Sequence, residues 1–380
     1  MTKPSKLPDV GLTIFSVMSQ LAAEHGAINL SQGFPDFDVH PALIDRVVHY
    51  MRQGFNQYAP MTGVPSLREA IAAKTAALYG ADYDPEGEIT VTSGATEAVY
   101  AAITAVVHLG DEAIIIEPAY DAYDPAVRLN GGRSVFVPMT FPDYRIDWDR
   151  VRAAVSKRTR LLIINSPHNP TGSVLSEEDG AALKELVAGT DLLLLSDEVY
   201  EHIVFDGSRH FSMAGDPDLR RRSFVVSSFG KTYHATGWKI GYCLAPANLS
   251  TEFRKVHQYL TFATNTPVQM ALADYLAGTS DHLELAAFYQ AKRDLFIELI
   301  GPSRFRPLSC QGTYFQMLDY AAITDEGDTA FARRLTTRHG VAAIPPSVFY
   351  HGSDDHRVLR FCFAKNDATL KEAAEKLCRI

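Results

Sequence analysis

The chain has 380 residues, 46% of them hydrophobic and 21% charged, which is enough apolar matter for one or two buried cores. Its 36 Lys and Arg against 45 Asp and Glu give a net charge of -9 without a basic stripe, which argues against nucleic acid as the main partner. No apolar run approaches the roughly 18 residues of a spanning helix, the 4 cysteines stand singly, and the 13 histidines form no His-Glu-x-x-His, so no membrane span, disulfide framework or structural metal is expected.

In chain order, the start Met1-Thr2-Lys3-Pro4-Ser5-Lys6 is polar and leads into no apolar core with a cleavage site, so a cytoplasmic address is the default. Ile14 to His25 has helical spacing. Ser66-Leu67-Arg68-Glu69 reads as a capping box, with Leu67, Ala70, Ile71, Ala77 and Leu78 following on one helical face. Strands are read at Ile89-Thr90-Val91-Thr92, Ala113 to Ile116, Val135 to Val137, Leu161 to Ile164, Leu192 to Leu195 and Phe224 to Val226. Most are apolar throughout rather than alternating, the mark of strands buried on both faces. Helices fit between them, from Ala95 to about Gly110 and from Glu177 to Ala188, which predicts a doubly wound, mostly parallel α/β domain. Beyond Thr251 the texture changes. Helical patterns at Phe253 to Leu276 and Leu283 to Ile300 give way to strands near Tyr314-Phe315, Val341 to Ile344 and Val358 to Phe363, then a closing helix from Ala368 to Leu377. The expected division is a large domain over 45–275, a smaller α+β domain over 276–380, and a segment 1–44 packing with the smaller one.

In open α/β sheets ligands bind beyond the carboxyl ends of the strands. Four strands here lead into polar clusters: Ser93-Gly94-Ala95-Thr96, Asn165-Ser166-Pro167-His168-Asn169-Pro170-Thr171-Gly172, Ser196-Asp197-Glu198-Val199-Tyr200 and Ser227-Ser228-Phe229-Gly230-Lys231. The first, opening a helix with small residues, suits a phosphate on free backbone N–H groups, or is a plain helix start. Lys231 suits a Schiff base if its pKa is lowered, or is a surface lysine. Asp197, ending an all-leucine run, needs a partner such as a protonated pyridine nitrogen, or is a helix N-cap. Together they match pyridoxal 5′-phosphate, with Asn169 and Tyr200 as donors to its phenolic oxygen.

Asn169-Pro170-Thr171-Gly172, Ser196-Asp197-Glu198-Val199-Tyr200 and the run from Ser227 through Lys231 to Gly241, with Ser31-Gln32-Gly33-Phe34-Pro35-Asp36-Phe37 near the start, resemble the class I/II aminotransferases of fold type I. The likeness covers nearly the whole chain. It is nearest the bacterial methionine aminotransferase and kynurenine aminotransferase-like group, on Asn56-Gln57-Tyr58-Ala59-Pro60-Met61-Thr62-Gly63-Val64 and Lys255 to Phe262.

The resemblance implies that Lys231 carries the cofactor and shuttles the substrate's proton, that Asp197 keeps the ring nitrogen protonated, and that Tyr120 stacks on the ring. It implies a phosphate site of Ala95, Thr96, Ser228 and Lys239, with Tyr58 reaching in from the partner of a homodimer. Arg360, and Gly33 through its backbone, would take the substrate carboxylate, and Asn169 and Phe15 would line its pocket. Many relatives carry Arg where Lys239 stands; lysine gives a point charge rather than a fork. No second arginine is apparent for a side-chain carboxylate. With Phe15, Tyr58, Tyr314 and the partner's Asn265 as candidate walls, the expected donor is methionine or an aromatic amino acid and the acceptor a 2-oxo acid. The competing readings are a cysteine-conjugate β-lyase on the same scaffold and a non-catalytic regulator that binds the cofactor.

Overall fold

The computed structural model describes residues 4–380, so Met1 to Lys3 of the polar start lie outside the described residues. A seven-stranded sheet runs in the order Ile89–Thr92, Gly241–Leu244, Ser223–Ser228, Leu193–Asp197, Thr159–Asn165, Glu112–Glu117, Arg133–Pro138. All neighbours are parallel except Gly241–Leu244, which is antiparallel to both of its own. The sheet is therefore mixed, and the strand that makes it so escapes a reading based on apolar runs because Gly-Tyr-Cys-Leu is too short and too varied.

The all-apolar strands are buried on both faces, as such strands should be. Alternate residues of one strand enter different cores: Ile114, Ile116, Leu162, Ile164 and Leu194 join one apolar cluster, whereas Ala113, Ile115, Leu161, Ile163 and Leu195 join another. A third cluster gathers the C-terminal elements around Phe296, Phe331, Leu359 and Phe361, and takes in Met18 and Leu30 from the N-terminal segment. There Ile28–Asn29 pairs in parallel with Val341–Ala342, and Val358–Cys362 pairs with Phe315–Asp319. The helix Ile14–His25 has Thr13 as its N-cap and ends on Gly26 in the left-handed region at φ 59°.

Two local expectations need correction. Ser66 does not cap a helix: the helix is Pro65–Tyr79, with Val64 at the cap position making no side-chain bond. Pro65 takes the first helical position, where its fixed φ and missing N–H are harmless. A reciprocal capping box does occur at Ser176 and Asp179, before Glu177–Val187. The pattern over Phe253 to Leu276 is two helices, Ala247–Leu260 and Thr266–Gly278, parted where Asn265 caps the second and Pro267 sits in its first turn.

Among the described residues no helix is long and apolar enough to cross a membrane, and no three side chains are grouped as metal ligands.

Candidate active site

The strand register brings the polar clusters together. Thr92 pairs with Gly241 and Gly241 with Ser228, while Asn165 pairs with Asp197 in the next part of the sheet. Above this carboxyl edge lies a cavity of about 470 Å³, to which the smaller sheet adds Phe315 and Arg360.

Lys231 lies in the single turn Phe229–Thr232 that follows strand Ser223–Ser228. Its Nζ donates to Tyr314 Oη at 2.9 Å and to the Gly33 carbonyl at 3.3 Å. Burial pushes this amine down to about 8. Asp197 is 5% exposed and ends its strand facing the cavity. Its described partners are neutral: Tyr123 Oη donates to Oδ2 at 2.7 Å, and the Val199 N–H to Oδ1 at 3.4 Å. Burial holds the acid up at about 6, against the relief those bonds give.

Arg360 is 0% exposed. Its strand is paired on one side, with Met317, and bridged on the other, where Arg360 exchanges backbone bonds with Ile344. Nη1 donates to Asn169 Oδ1 at 2.6 Å and Nη2 to the Ser31 carbonyl at 2.7 Å, while Nε has no partner among the described residues. The guanidinium carbon stands 3.8 Å from the Phe315 ring centroid and 5.2 Å from that of Phe15. A buried cation bonded only to neutral groups is costly, and burial lowers it to about 10. Such a site is completed by an anion.

At the other end the helix Ala95–Val106 opens without a side-chain cap. Ser93 gives its N–H to Glu97 at 3.0 Å, and Ala95 and Thr96 line the cavity with no partner for their N–H groups among the described residues. Gly94 has φ 80°, and a Cβ there would lie 3.3 Å from Lys239 Cε, so the lysine stem lies close along the helix start. Gly241 is required for the same close approach: its Cβ would fall 2.8 Å from the Ala95 nitrogen. Ser228 and Lys239 line this corner. Helix dipole, free N–H groups and a lysine make an anion site.

The family model for aminotransferase class I and II matches residues 25–377. The chain belongs to the class I and II aminotransferases. It is similar to the methionine aminotransferase of Escherichia coli strain K12, 54% identical over 98% of this chain and 97% of that one. A probable N-succinyldiaminopimelate aminotransferase of Mycobacterium tuberculosis is 41% identical over 98% of this chain and 97% of its own length. Among solved structures, an Escherichia coli protein with an identified methionine aminotransferase function superposes with a TM-score of 0.98 at 53% identity, covering all of both chains. An aspartate aminotransferase of Thermus thermophilus does so at 0.90 and 29% identity, again over 100% of each.

Aminotransferases of this family depend on pyridoxal 5′-phosphate and move an amino group between an amino acid and a 2-oxo acid, so this chain is an α/β transferase of fold type I. The residues present fit that cofactor. An anion corner built from a helix start and a lysine, a buried acid bonded only to neutral groups and an amine of lowered pKa face one cavity. Asn169 has its Oδ1 committed to Arg360, so only its Nδ2 remains to donate.

The cavity wall includes Phe15, Gly33, Ala95, Thr96, Tyr120, Asn169, Asp197, Tyr200, Ser228, Lys231, Lys239 and Arg360, all anticipated from sequence. Tyr58 does not line it. It is 85% exposed, with its ring edge-on to Phe262 at 5.5 Å. Asn265 is likewise elsewhere, its Oδ1 capping Val268. Tyr314 lies behind Lys231, fully buried, rather than in the wall. Two residues with a place in the site went unremarked as such. Tyr123 anchors Asp197. Asn165 donates to the Asp197 carbonyl at 2.8 Å and accepts the Asn169 N–H at 2.8 Å, tying two clusters together. No local signal marked the first, 74 residues from Asp197, whereas Asn165's place at the end of its strand was a weak signal for the second.

Proposed function

We propose that the cavity transaminates methionine and other apolar or aromatic amino acids, with Lys231 as the amine that joins the cofactor and, once displaced, moves the proton at the substrate Cα. The observation that carries this reading is Lys231 and Asp197 facing one cavity from adjacent strands, with the unpaired Arg360 cation across it. Bound there, pyridoxal 5′-phosphate supplies a sink for the electron pair left at Cα when the proton departs.

The protein's part is to bind, orient and hold charge. Arg360 takes the substrate α-carboxylate with its planar fork, which sets Cα near Lys231. The Gly33 N–H, unpartnered among the described residues, adds a donor for the same carboxylate. Asp197, fixed by Tyr123, keeps a proton on the ring nitrogen. Asn169 Nδ2 and Tyr200 Oη would hold the ring oxygen, and Tyr120, also in the wall, would pack against the ring. The Ala95 and Thr96 N–H groups, Ser228 and Lys239 hold the phosphate. The lining offers no cation beyond Lys231, Lys239 and Arg360, and its walls near Arg360 are Phe15 and Phe315, which favours an apolar side chain over a dicarboxylic one.

The exposure of Tyr58 supports a homodimer in which Tyr58 and Asn265 serve the partner's site, and a cytoplasmic address remains our reading. We also place the larger domain from Pro41 to Gly278 rather than over 45–275. Leu43 and Leu276 both belong to its apolar cluster, and the earlier limits would cut helices Pro41–Arg52 and Thr266–Gly278.

A half-reaction screen tests the reading: each natural amino acid is mixed with holoenzyme and loss of the cofactor's visible band is followed. Methionine and the aromatic amino acids should bleach it fastest, and a 2-oxo acid should restore it, as a ping-pong cycle requires. Faster bleaching by aspartate or glutamate would overturn the donor assignment.

A further inference from the structure

The Lys231 amine makes two hydrogen bonds, to Tyr314 Oη at 2.9 Å and to the Gly33 carbonyl at 3.3 Å. Those two acceptors are themselves joined, because Tyr314 Oη donates to the Gly33 carbonyl at 2.7 Å. A carbonyl only accepts, so the phenolic proton is directed at Gly33 and a lone pair of Tyr314 is left facing Nζ. The ring has little freedom to carry its oxygen away from the amine. Tyr314 is 0% exposed, with Phe315, Tyr200 and Tyr289 rings centred 4.9, 5.1 and 5.6 Å away. Gly33 can come this near only without a side chain, since its Cβ would stand 2.5 Å from Phe315 Cζ and 3.2 Å from Tyr314 Cε2. Two residues before Gly33, the Ser31 carbonyl holds Arg360. One short stretch of the N-terminal segment thus touches both the amine and the carboxylate fork.

We propose that Tyr314, with the Gly33 carbonyl, is the rest that holds the Lys231 amine whenever it is not joined to the cofactor, and that this contact governs how readily the amine gives up its proton. The inference rests on the assignment of Lys231 made above. The other charged or titratable groups that act on the amine are Asp197 at its strand end, Arg360 and Cys362 on Val358–Cys362, Lys239 and Tyr200. None of them is hydrogen-bonded to Nζ, so Tyr314 is the one side chain hydrogen-bonded to the amine among the described residues. Its oxygen accepts from the ammonium form. The same hydroxyl can turn its proton toward a neutral amine, but bonds from a charged donor are roughly twice as strong, so the contact favours the protonated amine. Tyr314 is therefore a positioning residue that opposes the effect of burial on Lys231.

The test strips full-length protein of cofactor and measures its rate of capture of added pyridoxal 5′-phosphate from about pH 6 to pH 10. Each product is reduced with borohydride and mapped. Capture needs the neutral amine, so the midpoint of the profile reads Lys231. Tyr314→Phe keeps the ring and removes only the hydroxyl; its midpoint should fall by about one pH unit. Placing 3-fluorotyrosine at 314, which keeps the bond but weakens the acceptor, should move the midpoint the same way by less, and it serves if the phenylalanine variant folds poorly. Tyr289→Phe, which removes a neighbouring hydroxyl bonded to His234, should leave the midpoint in place. In turnover, Tyr314→Phe should lower kcat about tenfold with little change in KM, because the amine rather than the substrate is misplaced. A merely structural role would lower capture at every pH without moving the midpoint. Label on Lys231 with an unmoved midpoint overturns this proposal alone; label on another lysine overturns it together with the assignment of Lys231.

Discussion

The two cationic ends of the cavity are built on opposite plans. Arg360 is wholly buried in a strand held on both sides, and its fork is already bonded to Asn169 and Ser31. Lys239 is exposed, carried on a left-handed residue at φ 56°, and supports backbone N–H groups that do the directional work. The difference matches what each end has to do. A substrate carboxylate arrives and leaves in every half-reaction, so a rigid fork orients it without reorganisation at that moment. The cofactor phosphate stays, so a helix start with a movable point charge is sufficient.

Removing Arg360 should break the comparison most severely. Arg360→Ala is expected to lower kcat/KM by about 10³-fold, mostly through KM, while the visible band of bound cofactor persists. Arg360→Lys keeps the charge without the fork and should recover about a tenth of the loss or less. Steady-state kinetics alongside absorbance checks both, and loss of the band in either variant would show that the two ends are not independent.

Asp197 sharpens the contrast between filled and unfilled protein. In the cofactor-free chain its folded pKa of about 6 lies above the ordinary 3.8, so the native state binds the extra proton. This group's contribution to stability is fully present below about pH 4, falls as pH rises through about 6, and is flat above. It amounts to about 3 kcal/mol, from a rise of about 2 pKa units at about 1.4 kcal/mol each. Denaturant melts of cofactor-free protein between those limits should show that decline, and Asp197→Asn should remove it. With the cofactor in place a protonated ring nitrogen opposes the acid, and the decline should vanish there too.

Lys239→Ala should weaken cofactor retention about tenfold and leave KM for the amino acid unchanged, as measured by dialysis and reloading. Lys239→Arg should be close to neutral. Least of all, Tyr123→Phe should slow the half-reaction by about threefold, since Asp197 loses a neutral hydrogen bond but keeps the Val199 N–H. A loss as large as that of Arg360→Ala would mean that Tyr123 does more than hold Asp197.

The sequence disclosed the chemistry better than the mechanics. Lys231, Asp197 and the small-residue helix start were legible because each breaks a local rule: a lysine, an acid and an uncapped helix start stand where apolar strands end. Arg360 was legible only through the family resemblance, and its bond to Asn169 was not legible, because 191 residues separate them. Tyr123 was hidden for a similar reason. Nothing near it in sequence shows that its hydroxyl meets the end of another strand. The fold class followed from apolar runs, whereas Gly241–Leu244 was missed because it is short and begins where the cofactor motif ends. The false capping box at Ser66 shows the limit of a four-residue pattern: with Pro65 in the first helical position the cap falls on Val64, two residues earlier.

The account stands on Lys231 being the amine that joins the cofactor. Holoenzyme reduced with borohydride, digested and mapped gives the direct answer. The label should fall on the peptide holding Lys231, and Lys231→Ala should bind pyridoxal phosphate without fixing it and turn over at least about 10³-fold more slowly. Label fixed to any other lysine, or ordinary turnover by that variant, would contradict the account.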